Sequence, residues 1–322
     1  MDRDRLHVLD GWRGCAILLL LVGHFLHPAW MNTGRAGVEF FFVLSGRLMG
    51  EILFVHGAEL RGWAHRRVAR LVPALWVFLA IVAIAGVSGP GLSVSAGEIA
   101  AAAGFYINYS HGLSAIPQLQ HIWSLCVEAH CYLLLAAVAW LMRDKSIRQI
   151  GLVLIALALV MMAWGAFQFV LLERGYHDVY WRSDVRGASI IIASGVYLLA
   201  RDFRSPWIFA FAVPLGFALQ AEAVPDVIKY TLGTGALALA VATAPTAHRI
   251  VRSALSLKAL SWFGLTSYSV YIWQQPFAHS GMHWTLGILL ALACGAVSYY
   301  VVETPLRRAY MAALSRGQAS NI

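Results

Sequence analysis

The chain alternates long apolar runs with short polar breaks. The runs fall near residues 11–30, 37–56, 71–88, 121–141, 150–172, 186–200, 206–221, 227–244, 259–279 and 284–302. A helix rises about 1.5 Å per residue and must cover about 30 Å of hydrocarbon, so runs of about 20 apolar residues predict membrane-spanning helices. The runs at 186–200 and 206–221 are short, which leaves their ends loosely defined. One further stretch, EIAAAAGFYINYS from Glu98 to Ser110, holds only about a dozen suitable residues, too few to cross. The pattern predicts an all-α polytopic membrane protein of about ten transmembrane helices plus one short re-entrant or surface helix. With no internal repeat, low-complexity tract or long polar linker, residues 1–322 are expected to form a single transmembrane domain.

Composition agrees. Only 12% of the 322 residues are charged and 60% are hydrophobic, with a mean hydropathy of +0.67, whereas soluble domains carry about 25% charged residues. No short apolar segment with a small-residue cleavage site precedes the first run, so that run is expected to be retained rather than removed as a signal peptide. The net charge of +8 does not point to nucleic acid, because basic residues of polytopic proteins gather in cytoplasmic loops and set topology. The four cysteines, Cys15, Cys126, Cys131 and Cys294, lie in apolar stretches without metal-ligand spacing and are expected to be small buried apolar groups, with no metal site.

With ten spans, the basic clusters fall on one side of the membrane. They are Arg3, Arg5 and Arg13; Arg61, Arg66, Arg67 and Arg70; Arg143, Lys145 and Arg148; Arg201 and Arg204; Arg249, Arg252 and Lys258; and Arg307, Arg308 and Arg316, together 18 of the 24 Lys and Arg residues. The opposite loops hold Arg35, Arg174, Arg182, Arg186 and Lys229, and Arg47 lies in a span. An eleventh span at 98–110 would reverse the first three spans relative to the rest and break this bias. Both termini are therefore expected in the cytoplasm.

Ionisable groups inside a span cost about 2.5–3.5 kcal/mol at its centre on insertion scales, so each is a candidate for function. Arg13 and His24 stand eleven residues apart, about 16 Å along a helix and only about 20° past three full turns, so both face the same way. Arg13 would sit at the cytoplasmic mouth and His24 near or beyond the midplane. That suits a long ligand with an anionic head and a reactive tip. A buried histidine bonded to a neighbouring helix, beside an arginine that only sets topology, fits the spacing as well. Glu39 starts in the outer half of the returning helix, within reach of the depth of His24, where a carboxylate can fix an imidazole's tautomer. Arg47 and Glu51, spaced i,i+4, predict a local ion pair. Ser45-Gly46 either bends that helix or lets a ligand approach closely.

Arg67 and Arg70 share a helical face just before Pro73. Two guanidinium groups there suit the phosphates of a nucleotide-bearing donor, or else serve as topology charges and anionic-lipid contacts. His121, Ser124, Glu128 and Tyr132 recur at i, i+3, i+7 and i+11 as a polar stripe, either catalytic or an interhelical network, while His130 falls on another face and is expected only to pack.

In this order and spacing the residues resemble acyltransferase family 3, membrane proteins that O-acylate sugars and other hydroxyl compounds. The likeness covers nearly the whole chain. The family's Arg, ten residues, His signature is similar to Arg13 and His24, and its FFVLSG segment to Phe41–Gly46 preceded by Glu39. Its Arg-x-x-Arg motif corresponds to Arg67 and Arg70, and its WSLxVE segment to Trp123 through Glu128. DVRGASIIIASG singles out Arg186, and SYSVYIWQQP and VETPLRR echo the family's late motifs. Departures are Gln274 where many members have histidine, VEAH in place of VEEQ, and Arg47 in place of an aromatic or aliphatic residue. Many relatives carry a C-terminal soluble esterase-like domain, which is not expected after Ile322.

The resemblance implies an integral O-acyltransferase of a plasma membrane, typically the bacterial inner membrane. Its donor would be acyl-CoA, with acetyl-CoA the first expectation, bound from the cytoplasm with its phosphates near Arg13, Arg67 and Arg70. His24 would act as general base on a hydroxyl of a carbohydrate or related acceptor, oriented by Glu39 or Glu128. Trp123, Ser124, Arg186 and Tyr268 would line the acceptor site, Trp123 by stacking on a sugar face. The competing reading is a proton-coupled transporter of a small solute or glycan, since intramembrane His and Glu also build proton relays. That reading expects two symmetric halves with broken helices, and the sequence shows none.

Overall fold

A computed structural model describes residues 3–88, 94–110, 117–203 and 205–319. Of the basic residues above, Arg204 and the side chains of Arg3 and Arg5 lie outside what is described. In chain order the helices are α1 (Arg3–Leu26), α2 (Thr33–Met49), α3 (Leu60–Ser88), α4 (Ala96–Ala103), α5 (Ile122–Leu141), α6 (Ile147–Ala166), α7 (Tyr176–Tyr180) and α8 (Ser183–Arg186). There follow α9 (Ala188–Ala200), α10 (Pro206–Ala218), α11 (Asp226–Ile228), α12 (Thr234–Thr243), α13 (Arg249–Leu255), α14 (Lys258–Ala278), α15 (Trp284–Val297) and α16 (Thr304–Ala319). Among the described residues the nearest thing to a strand is an isolated pairing of Met31 with Ala221. The protein is all-α and polytopic.

Each of the ten apolar runs is helical over most of its length. Seven helical stretches among the described residues are long and apolar enough to cross a membrane: Val8–Leu26, Leu60–Ala85, Ile122–Leu141, Ile147–Leu171, Ser183–Ala200, Asp226–Thr246 and Trp284–Arg316. The other three predicted spans fall short for different reasons. The segment at 37–56 carries Glu39, Arg47 and Glu51. α10 has 13 residues, about 20 Å of helix. α14 is diluted by Ser, Thr and Gln. Residues 98–103 of the stretch at 98–110 lie in the eight-residue α4, which is closed at its start by reciprocal Ser95 and Glu98 hydrogen bonds and is too short to span; a single 3-10 turn follows at Ile107–Tyr109.

By contacts the chain divides into two units, Met1–Gly57 with Trp123–Leu265, and Ala58–Ile122 with Thr266–Ile322. In the first, α2 packs on α1, α9 and α12, and α9 also packs on α6 and α12. The core between these helices includes Trp12, Phe40, Val43, Leu44, Ala193, Phe209, Leu237 and Val241. α1 stops at Leu26 because Pro28 disfavours the helical conformation in the residue before it, and His27 turns the chain with φ of 45°. In the second unit, α3 packs on α4, α16 and the segment Ser298–Glu303. Phe78 makes T-shaped contacts with both Trp273 and His121.

Wide π turns interrupt the helices at Gly50–Val55, Phe167–Leu171, Lys229–Gly233 and Ser298–Glu303. Such turns re-aim side chains and recur at functional sites; here they carry Glu51, Gln168, Tyr230 and Glu303.

At Ser45-Gly46 the group that approaches closely is a helix. A Cβ on Gly46 would lie 2.1 Å from the Ile190 carbonyl oxygen of α9, and the Ser194 hydroxyl donates to the Gly46 carbonyl at 2.6 Å. Gly46→Ala is therefore expected to destabilise the protein by about 1–3 kcal/mol, the usual cost of overpacking. The thermal midpoint in detergent measures this, and an unchanged midpoint would show that α2 and α9 do not pack this closely.

Candidate functional site

Three residues on successive turns of α2, Glu39, Phe42 and Ser45, organise the polar interior of the first unit. Glu39 is fully buried. One carboxylate oxygen pairs with the guanidinium of Arg186 at the end of α8. The other accepts the Thr234 hydroxyl at 2.5 Å, from the first residue of α12. Arg186 is itself buried, with its guanidinium 3.7 Å from the centre of the Tyr230 ring and 5.6 Å from that of Phe42. It also donates to the Ser189 hydroxyl at 3.3 Å. Removing two charges from water costs several kcal/mol each, so a buried pair needs further hydrogen bonds and aromatic faces around it; Thr234, Ser189 and Tyr230 supply them here, while Arg186 Nε has no hydrogen-bond partner among the described residues.

The network continues outward from Tyr230. Its hydroxyl shares a 2.7 Å hydrogen bond with that of Tyr176 in α7. Arg35, from the first turn of α2, lies 3.7 Å over the Tyr176 ring and 3.9 Å from Asp226, which also faces Lys229 at 3.4 Å. Burial raises the pKa of Tyr176, so its hydroxyl remains a donor at neutral pH. Burial, and after it the charge of Arg35, lower that of His177, which is therefore neutral in the same range. Two hydrogen-bonded tyrosines thus bridge the cations of Arg186 and Arg35.

Phe42 also makes a T-shaped contact with Trp123, 5.8 Å away and at 84°. Trp123 lies parallel to Trp181 at 5.8 Å and 7°, and His177 packs on Trp181 at 4.3 Å. One face of Trp123, the residue predicted to stack on a sugar, is thus covered by another indole. Ser45 donates to Glu128 at 2.7 Å, and Tyr132, one turn below, donates to the same oxygen. Ser124 is buried on the same helix. His130 does more than pack: it shares a 2.7 Å hydrogen bond with Ser183, the first residue of α8.

Arg13 and His24 both lie on α1, and both are half-buried. His24 falls in the last turn, at the end of the helix. Its ring lies against Gly34, where an added Cβ would come 2.9 Å from Cδ2 and 3.0 Å from Nε2. Glycine is what allows the imidazole to rest on the first turn of α2. Arg47 and Glu51 form the predicted i,i+4 pair at 2.9 Å, both buried, with Arg47 over Tyr197.

Arg67, Arg70 and Tyr268 belong to the second unit. Tyr268 donates its hydroxyl to the Leu71 carbonyl, next to Arg70 in sequence. Glu303 accepts from Ser269 at 2.9 Å, has Arg307 at 3.8 Å, and feels the charge of Arg70. Gln274 donates to Gln275, which donates to Gln120, so an amide chain stands where the family's histidine was expected. Among the described residues no group of three His, Cys, Asp or Glu is placed to hold a metal.

The structure therefore brings Glu39 together with Arg186, and Glu128 with Ser45 and Tyr132. Both carboxylates, read from the sequence as partners for His24, are engaged by these groups. Thr234, Tyr230 and Tyr176 escaped the sequence reading. Their one signal was polarity inside or beside an apolar run.

A family profile described as Acyltransferase domain matches residues 6–303. The chain is 26% identical over 347 aligned positions to the O-acetyltransferase OatA of Staphylococcus aureus, covering 93% of this chain and 57% of that protein. It is 24% identical over 349 positions to the peptidoglycan O-acetyltransferase OatA of Listeria monocytogenes, covering 93% of this chain and 55% of that protein. The chain thus spans little more than half the length of these relatives. No solved structure matches it significantly. Because the matched region runs from α1 through α15 and takes in both stretches of each unit, the chain belongs to the acyltransferase family that this domain defines.

Proposed function

We propose that the chain is a membrane O-acetyltransferase that moves an acetyl group from acetyl-CoA, bound from the cytoplasmic side, to a hydroxyl of a carbohydrate acceptor. Peptidoglycan is the acceptor that the name of the Listeria relative suggests. The observation that carries this reading is the family match from α1 to α15, joined to the placement of His24 against the first turn of the helix that also holds Glu39.

His24 takes the proton of the acceptor hydroxyl as its oxygen attacks the thioester carbonyl carbon. The carbon–sulfur bond then breaks, the acyl group stays on the acceptor oxygen, and coenzyme A leaves as the thiol with the proton that His24 returns. The positive end of the α2 dipole beside His24 favours the oxyanion that develops on the carbonyl. Arg13, Arg67 and Arg70 hold the donor's phosphates. Glu39 keeps Arg186 in place toward the acceptor, where Trp123, Ser124 and Tyr268 also serve. Glu128 orients the helix pair through Ser45 and Tyr132. On this topology both termini lie in the cytoplasm.

His24→Ala is expected to abolish transfer of radiolabelled acetyl from acetyl-CoA in reconstituted vesicles, while membrane yield and thermal midpoint stay at wild-type values. Transfer at the wild-type rate would remove His24 from the mechanism. Charge-assisted hydrogen bonds contribute about 1.5–3 kcal/mol each, so Arg67→Gln with Arg70→Gln is expected to raise the KM for acetyl-CoA tenfold or more with a small change in kcat. Initial rates over a range of acetyl-CoA concentrations test this, and an unchanged KM would take both arginines out of the donor site.

A further inference from the structure

One cavity in the first unit is not used by this mechanism. It has a volume of about 810 Å³ and lies where the start of α1, the ends of α2, α9 and α12, and one face of α13 converge. Arg13, His24 and Glu39 do not line it. Among the described residues its charged lining is Arg47, Arg201, Arg249 and Arg252 against Glu51 and Asp202, four cations against two anions. Glu51 is neutralised by Arg47 at 2.9 Å, and Asp202 lies 3.6 Å from Arg201. Arg249 and Arg252 have no acidic partner among the described residues and stand i,i+3 on α13, so both guanidinium groups face the cavity from one helical face. His56 adds a further nitrogen base to the wall.

We propose that this cavity is a binding site for a phosphorylated ligand, the phosphate held by Arg249 and Arg252. Guanidinium groups bind phosphate oxygens through paired, charge-assisted hydrogen bonds, and a surplus of two positive charges in a concave wall concentrates such anions. The volume decides between a bare anion and something larger. Sites for drug-sized ligands occupy about 300–1,000 Å³, so the phosphate carries an organic body. Tyr197, Phe203 and Val55 supply apolar surface for that body. Both a soluble nucleotide-like phosphoester and the headgroup of an anionic lipid have this chemistry.

The test measures binding rather than turnover, so its outcome is separable from that of the proposed acetyl transfer. The full chain is placed in nanodiscs of phosphatidylcholine alone and titrated calorimetrically with coenzyme A. A parallel series adds phosphatidylglycerol and follows the thermal midpoint. Wild type is compared with Arg249→Gln/Arg252→Gln, with the double Lys variant that keeps the charge, and with Arg67→Gln/Arg70→Gln. Both arginines of α13 are exposed on a short helix, so their replacement spares the fold. The expected result is a loss of at least tenfold in coenzyme A affinity, or loss of the phosphatidylglycerol-dependent midpoint rise, in the α13 Gln variant. The Lys variant would recover part of it. Arg67→Gln/Arg70→Gln, which weakens the separate donor site, would lower total coenzyme A binding but leave the component lost in the α13 Gln variant, and the phosphatidylglycerol-dependent midpoint rise, unchanged. The first effect identifies a soluble phosphoester and the second a lipid headgroup. If neither ligand distinguishes the α13 Gln variant from wild type, the cavity is not a phosphate site.

Discussion

The buried ion pair between Glu39 and Arg186 is the constraint around which the first unit is arranged. Both groups are buried, so their remaining lone pairs and N–H groups depend on neighbouring protein groups. Thr234 closes the carboxylate from α12, Ser189 and Tyr230 shape the surroundings of the guanidinium, and Phe42 covers its flank. One pair therefore ties α2, α8, α9 and α12 into a single geometry. Removing one partner of such a pair typically costs about 3–5 kcal/mol because the other is left as an uncompensated buried charge.

α2 is the helix on which this geometry turns. Its first turn supports the His24 ring through Gly34, its middle holds Glu39 and meets Trp123 through Phe42, and its lower half bonds Glu128 through Ser45. Below that, Gly46 lets α9 come into backbone contact, and the π turn that follows turns Glu51 into the buried pair with Arg47. A helix that carries this many polar groups can lie inside a membrane protein only if almost none of them faces lipid, which is why most of its residues are buried. The same polarity keeps it off any inventory of spans based on composition.

The helical architecture was legible because apolar run length translates directly into helix length, and because a short segment such as 98–110 cannot reach across a bilayer. The Arg47–Glu51 pair was legible because its partners are one turn apart. The pairing of Glu39 with Arg186 and Thr234 was not. Thr234 is 195 residues from Glu39 and Ser45 is 83 from Glu128, and no periodicity links residues brought together only by packing. Arg186 and Glu39 each stood out as unusual, but the sequence offered several oppositely charged candidates for each. The close approach at Gly46 was also ambiguous in sequence, since a glycine admits a ligand or a neighbouring backbone equally well.

The claim that most depends on this arrangement is that Glu39 and Arg186 act as one unit in supporting acetyl transfer. A double-mutant cycle with Glu39→Gln, Arg186→Gln and the two together, read in both thermal midpoint and initial rate of transfer from acetyl-CoA, tests it directly. The account predicts strong losses in each single variant and a double variant no worse than the poorer single one. Additive losses, with the double variant falling by the sum of the two, would contradict it.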